Sequence, residues 1–227
     1  MTATATLHNG DCVAYMAGMP DKSVDLLLTD IPYGEVNRDS NGLRNLDKGG
    51  ADTVCFDLRA VAESFVRLTR GSIYVFCGTE QVSLLRSVFV KHGLSTRLLV
   101  WEKTNPSPMN GEHLWLSSIE CCVFGKFSGA PFNGHCESAV LRYPVASGQE
   151  HPTQKPLDLF KRLVSTSSDL GQTVFDPFMG SGTSGVAALY WDRNFIGCEI
   201  DPRFFKIAER RIRDEEAQGK LFTADVW

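Results

Sequence analysis

Thr173-Val174-Phe175-Asp176-Pro177-Phe178-Met179-Gly180-Ser181-Gly182-Thr183-Ser184-Gly185 decides how this chain folds. A β-branched and aromatic run reads as a short buried strand, Thr173 to Phe175, that stops at an acid. The apolar stretch from Ser184 to Trp191 has the length of a helix. Between them Gly180, Gly182 and Gly185 complete a G-x-G-x-x-G pattern in the context that gives it meaning, strand then tight turn then helix. Glycines let backbone approach a ligand closely, and a helix N-terminus favours negatively polarised groups. The following strand, Phe195 to Cys198, ends at Glu199, nineteen residues beyond Gly180, where a carboxylate can accept ribose hydroxyls. The stretch points to an adenosine-containing ligand, and by itself suits a dinucleotide-binding oxidoreductase equally well.

Working outward, the same alternation recurs. Val24 to Thr29, Gly71 to Cys77, Thr96 to Trp101 and Ile119 to Phe124 read as strands. Asp57 to Leu68 has helical spacing, and Thr79 can cap a helix running to His92 with Gly93 as its stop. Pro156 opens a helix to about Thr166, and Asp201-Pro202 starts another. Alternating strands and helices imply an α/β fold with a mostly parallel, doubly wound sheet. The chain is 227 residues long, enough for one such domain. Residues 34–52 lack periodicity and read as a long loop, functional or mobile. Residues 127–149 hold no pattern and are the one stretch that could form a small insertion.

Composition narrows the class. Hydrophobic residues make up 43%, so a packed core is expected. No apolar run approaches the roughly 20 residues that span a bilayer, and Met1 to Asn9 is no secretion signal, so a cytoplasmic protein without membrane contact is expected. Seven cysteines without C-x-x-C pairs fit reduced, mostly buried thiols. His92, His113 and His135 lack metal-ligand spacing, so no metal is expected. The net charge of -4 weakens a nucleic-acid reading, since such proteins usually carry a basic footprint. Arg38, Arg44, Lys48, Lys103, Lys126 and Arg142 are the candidates for a local patch. Arg210, Arg211 and Arg213, beside Asp214, Glu215 and Glu216, read as an ordinary salt-bridged helix face. Trp101 and Trp115 read as packing residues, and Cys121-Cys122 as buried strand.

Asp30-Ile31-Pro32-Tyr33 separates the remaining possibilities. An aromatic exocyclic amine is a poor nucleophile because its lone pair is delocalised into the ring. The Asp30 carboxylate and the Ile31 carbonyl could accept its two hydrogens and direct the lone pair at an electrophile. Pro32 stiffens the turn. Tyr33 could stack on a base that has left the duplex.

The two motifs together resemble those of the amino-methylating DNA methyltransferases that use S-adenosylmethionine. Three more segments fit: Gly10-Asp11-Cys12, Val100 to Pro106 with Glu120 and Lys126, and His151-Pro152-Thr153-Gln154-Lys155-Pro156. Catalytic motif before cofactor motif resembles the β-class, circularly permuted arrangement. The resemblance implies a Rossmann-like methyltransferase fold, with Asp30, Ile31, Pro32 and Tyr33 at the reacting amine. It implies S-adenosylmethionine bound by Asp11, Cys12, Thr153, Lys155, Asp176, Phe178, Gly180, Ser181, Gly182, Thr183 and Glu199. Asp11 could also merely cap a turn, and Lys155 merely flank a helix. DNA is the implied substrate, and a homodimer is implied by family analogy alone.

Asp as the first residue of the catalytic motif resembles enzymes acting on adenine N6, with cytosine N4 as the alternative. The family usually has two prolines where this chain has Ile31-Pro32, a departure compatible with reduced turnover. Residues 127–149, where the family places target recognition, are few, so a simple recognised site is implied. A nicotinamide-dependent oxidoreductase, an inactive DNA-binding relative and an RNA substrate stay open at this level.

Overall fold

Val24–Asp30 carries apolar residues on both of its faces because a parallel strand is covered on both sides. In the computed structural model, which describes residues 3–33, 56–108, 113–145 and 154–218, Val24 to Thr29 are all buried. The elements in chain order are β1 (Ala5–Asn9), α1 (Cys12–Gly18), β2 (Val24–Asp30), α2 (Leu58–Leu68), β3 (Thr69–Cys77), α3 (Val82–Lys91) and β4 (Ser95–Lys103). There follow β5 (Ile119–Lys126), β6 (Val140–Tyr143), α4 (Leu157–Ser167), β7 (Thr173–Asp176), α5 (Thr183–Tyr190), β8 (Asn194–Glu199) and α6 (Pro202–Gln218).

All eight strands join one sheet in the order β1-β8-β7-β2-β3-β5-β4-β6. The first five of that order run parallel, β5 runs antiparallel to β3 and β4, and β6 lies parallel to β4. This is the mostly parallel, doubly wound α/β sheet the sequence implies. Its consequence for function is geometric. The carboxyl ends of β1, β8, β7, β2, β3 and β4 share one edge, and the reversed β5 brings its amino end there too. Ligands of open α/β sheets bind outside this edge.

Two apolar layers sandwich the sheet. Leu26 and Leu28 face one with Phe76 and Val174, while Leu27 and Ile31 face the other with Phe65 and Phe175. Val24 joins Leu27's side although strict alternation would place it with Leu26. The β2–β3 register shifts at this point, with Asp25 alone on β2 facing both Arg70 and Gly71 on β3. Asp25 is buried but satisfied, accepting from Arg70 Nε at 2.6 Å, Arg70 Nη2 at 2.9 Å and the Thr173 amide at 2.9 Å. Gly71 is required beside it, because a Cβ there would sit 2.0 Å from the Asp25 carbonyl oxygen.

Several local readings need correction. Thr79 does not cap α3: a 3-10 turn over Thr79–Gln81 precedes the helix, and the Gln81 side chain closes it by accepting from the Gly78 amide at 2.9 Å. Trp115 is not a packing residue but fully exposed, whereas Trp101 is buried with its indole N–H on the Tyr143 carbonyl. The edge strands β1 and β6 and the short helix α1 carry no periodicity long enough to read beforehand. Asp201 does cap α6, accepting from the Arg203 amide at 2.8 Å, and Gly93 ends α3 at φ +79°. No helix of the described residues is long and apolar enough to cross a membrane.

Candidate active site

The glycine turn is built from backbone. Gly180 and Gly182 adopt φ of +52° and +79°, a region side chains rarely enter. The Gly180 amide donates to Glu199 Oε2 at 3.0 Å, and the Asp201 amide donates to Oε1 at 2.8 Å. Each Glu199 oxygen therefore has one partner and keeps a further lone pair for a ligand hydroxyl. Burial raises the Glu199 pKa, and those backbone N–H groups oppose the rise. Gly182 and Gly185 serve packing as much as ligand approach. A Cβ on Gly182 would lie 3.0 Å from the Ala208 Cα, and one on Gly185 2.5 Å from Ile212 Cδ1.

Asp176 lies beneath the turn rather than facing outward. It accepts from the Thr29 hydroxyl at 2.7 Å, the Phe178 amide at 3.0 Å and the Ser184 hydroxyl at 2.5 Å. Burial pushes its pKa up to about 7 against those three donors. The Thr29 bond matters most, because Thr29 immediately precedes Asp30. It pins the end of β2 to the end of β7.

The other predicted cofactor residues gather around this turn. Asp11 caps α1 by accepting from the Val13 amide at 2.8 Å, and Gly10 donates to the Glu199 carbonyl at 3.0 Å. Buried Cys12 is an inert thiol, pushed up to about 12 by burial and then by Asp11. Phe178 is half-buried, its ring 5.2 Å from Phe56. Ser181 and Thr183 are buried, and Arg211 donates to the Ser181 carbonyl at 2.6 Å and its hydroxyl at 2.9 Å. Arg211 thus reaches back to the turn from its helix, and Arg213 pairs with Glu209 on the same helix. Thr153 and the neighbouring His151 and Pro152 fall outside the described residues.

The Asp30 end of the edge is built from side chains. Ile31 is buried, and its amide extends the ladder to the Phe76 carbonyl at 3.1 Å. The Pro32 carbonyl accepts from Gln81 Nε2 at 2.9 Å, so the 3-10 turn holds the motif in place. The Tyr33 hydroxyl donates to Asp30 Oδ1 at 2.6 Å and lies 3.1 Å from Glu120 Oε2. Lys155 is buried, and its ammonium bonds Asp30 Oδ2 and reaches Glu120 Oε2 at 3.1 Å. Lys103 completes the cluster at 2.9 Å from Glu120 Oε1.

Lys155 is therefore neither a flanking surface charge nor grouped with the glycine turn: it belongs to the Asp30 cluster. Burial raises the Asp30 pKa and Lys155 holds it back. For Glu120, Lys155 and Lys103 outweigh burial and the pKa falls. For Lys155, the two carboxylates outweigh burial and the ammonium persists. Sequence reasoning placed Glu120 within a family segment but did not see its role. The available signal was a lone acid opening an otherwise apolar strand.

The described candidates for a basic patch are each engaged with a neighbour. Lys103 is paired as above, Arg142 pairs with Glu102 at 3.0 Å, and Lys126 donates to the Phe127 carbonyl. Arg38, Arg44 and Lys48, with the rest of the loop over 34–52, lie outside the described residues. Among the described residues no group of acids, histidines and cysteines could hold a metal ion.

Comparison with known proteins places this arrangement. The N6/N4 DNA methylase family model matches residues 133–210, which carry the glycine turn and Glu199. The chain is thus similar to the amino-methylating DNA methyltransferases. It is 26% identical to the type II methyltransferase M2.MboI of Moraxella bovis, over 92% of this chain and 87% of that one. It is 29% identical to the type II methyltransferase M.HinfI of Haemophilus influenzae, over 92% of this chain and 68% of that one. Among solved structures it resembles M1.HpyAVI in complex with SAM, with TM-score 0.71 and 25% identity over 92% of this chain and all of the other. The fold is thus shared over 92% of this chain with a DNA methyltransferase whose structure holds SAM.

Proposed function

We propose that this methyltransferase moves a methyl group from S-adenosylmethionine to N6 of an adenine swung out of DNA. One observation carries the reading. The Thr29 to Asp176 hydrogen bond, between residues 147 positions apart, sets an amine-gripping turn directly beside a nucleoside-binding turn. The sulfonium supplies an activated methyl group. Asp30 and the Ile31 carbonyl accept the two amine hydrogens, so the nitrogen lone pair points at the methyl carbon. As the N–C bond forms, the C–S pair leaves with sulfur, and the nitrogen gives one proton to the Asp30 carboxylate and on to solvent. Holding both reactants in line supplies much of the rate. The donor set fits the cofactor: Glu199 keeps free lone pairs, Gly180 offers bare backbone, and Asp11 and Phe178 flank them.

Adenine is preferred over cytosine because Asp, rather than Ser, opens the catalytic motif. Residues 127–149 are proposed to contribute target recognition. Part of that stretch, β6, is committed to the sheet edge, which leaves little chain for a recognition surface. The test is incubation with S-adenosylmethionine and unmethylated DNA, digestion, and mass spectrometry of the nucleosides. N6-methyldeoxyadenosine is the expected product. N4-methyldeoxycytidine would keep the mechanism and move the target base. No modified nucleoside, with cofactor binding intact, would overturn the reading in favour of an RNA substrate or an inactive binder.

A further inference from the structure

Resting on the reading that the glycine turn holds S-adenosylmethionine, we infer that Arg211 is a positioning residue that fixes the shape of this turn before the cofactor arrives. The problem it solves is local. Gly182 stands at φ +79° with no side chain to forbid the opposite sign, so sterics leave the peptide joining Ser181 to Gly182 free to turn over. Hydrogen bonds must hold it instead. The Gly182 amide donates to the Met179 carbonyl at 2.8 Å, and the Ser181 carbonyl accepts from Arg211 Nη1 at 2.6 Å. One side of the peptide is held from within the turn, and the other from α6, 30 residues further along the chain.

Arg211 holds more than that carbonyl. The same nitrogen donates to the Ser181 hydroxyl at 2.9 Å and lies 3.4 Å from Thr183 Oγ1, so it spans the turn and the first residue of α5. The Ser181 hydroxyl is then left to donate, and Gln154 Oε1 stands 3.4 Å from it. Gln154 precedes Lys155, whose ammonium bonds Asp30. Packing seats Arg211 for this work. Ala208 and Ile212, its neighbours on α6, are fully buried, and a Cβ on Gly182 would meet the Ala208 Cα and Ile212 Cδ1 at 3.0 Å.

The consequence is energetic. A turn that its ligand has to order binds more weakly, by about 5- to 30-fold for each residue whose backbone must be fixed. Charge alone predicts the opposite sign. S-adenosylmethionine carries a sulfonium and a net positive charge near neutral pH, so removing a neighbouring cation would tighten its binding. S-adenosylhomocysteine offers the same adenosine without the sulfonium charge, so the two ligands separate shape from charge.

The experiment measures Kd for both ligands by calorimetry on full-length wild type, Arg211→Met and Arg211→Lys, and kcat and KM on DNA that wild type methylates. Arg211→Met is expected to weaken both ligands about tenfold, by factors that agree within about threefold, and to raise KM for S-adenosylmethionine while kcat stays within about threefold. Because all three contacts use one nitrogen rather than the two-pronged fork of the guanidinium, Arg211→Lys should recover most of the affinity. A merely structural role would lower the melting temperature and the folded fraction and leave the affinity of the folded molecules unchanged. Should Arg211→Met fail to fold, Arg211→Gln replaces it. A folded variant with wild-type Kd, a change confined to one of the two ligands, or Arg211→Lys no better than Arg211→Met overturns the inference. A wild type that binds neither ligand overturns the assignment of the turn, and with it the proposed function, instead.

Discussion

The two ends of the functional edge are made differently. The glycine turn between β7 and α5 consists of backbone groups held by neighbours in sequence, with Glu199 and Asp201 closing it from the next strand. The Asp30 cluster consists of side chains from the ends of β2, β4 and β5 and from the segment before α4. A backbone-built site is insensitive to charge and sensitive to volume, whereas a charge cluster is the reverse. Substitutions should therefore separate the two ends.

The largest effect should come from Asp30→Ala. It removes the acceptor needed only in the reaction, so methylation should fall about 10³-fold or more while calorimetry shows unchanged cofactor affinity. Full activity in a folded variant would end the assignment of this turn to the amine.

Asp176 joins the two regions, and its effect should be one of stability. Its folded pKa, near 7, lies above the ordinary 3.8, so the folded chain binds its proton more tightly than the unfolded one. The stabilisation is complete below about pH 4 and is lost as pH rises through about 7, with roughly 4 kcal/mol as an upper bound. Denaturant unfolding across that window should show a steeper decline for wild type than for Asp176→Asn. Parallel curves would mean that Asp176 is ionised throughout.

Gly185→Val should act on volume alone. The new side chain meets Ile212 and Phe195, so thermal unfolding should show a loss of about 1–3 kcal/mol. Once folded, the variant should keep the wild-type pH profile of methylation. A shifted profile would show that the two regions are not separable.

The smallest effect concerns the departure at Ile31. Because its amide donates to Phe76, Ile31→Pro should lower stability by about 1 kcal/mol, read from the urea midpoint. Because the carbonyl survives the change, kcat should stay within about threefold of wild type. A large gain in turnover would show that isoleucine limits the catalytic turn.

The difference between the regions also explains what could be read early. Gly180, Gly182 and the Asp201-Pro202 start are local solutions to local backbone problems, so residue type and spacing announce them. Asp25 and Gly71 are less visible, since the bulge that needs them exists only once β2 and β3 pair. The contact of Arg211 with Ser181 stayed hidden because charge pattern along a helix does not reveal which arginine reaches back to a preceding turn. Strand β6 escaped because four residues at an edge carry too little periodicity to stand out.

The order of apolar runs and glycine turns determined, before any folding, a mostly parallel sheet with a glycine turn after β7 and an acidic turn after β2. Short-range chemistry suffices there, because strand and helix periods and positive φ are properties of neighbouring residues. Only the tertiary structure decided that Lys155 faces Asp30, that Glu120 stands between two lysines, and that Asp176 ties the turns together. Those partners are brought together by sheet order and by the reversed direction of β5, and a Coulomb or hydrogen-bonding partner is chosen by distance in space.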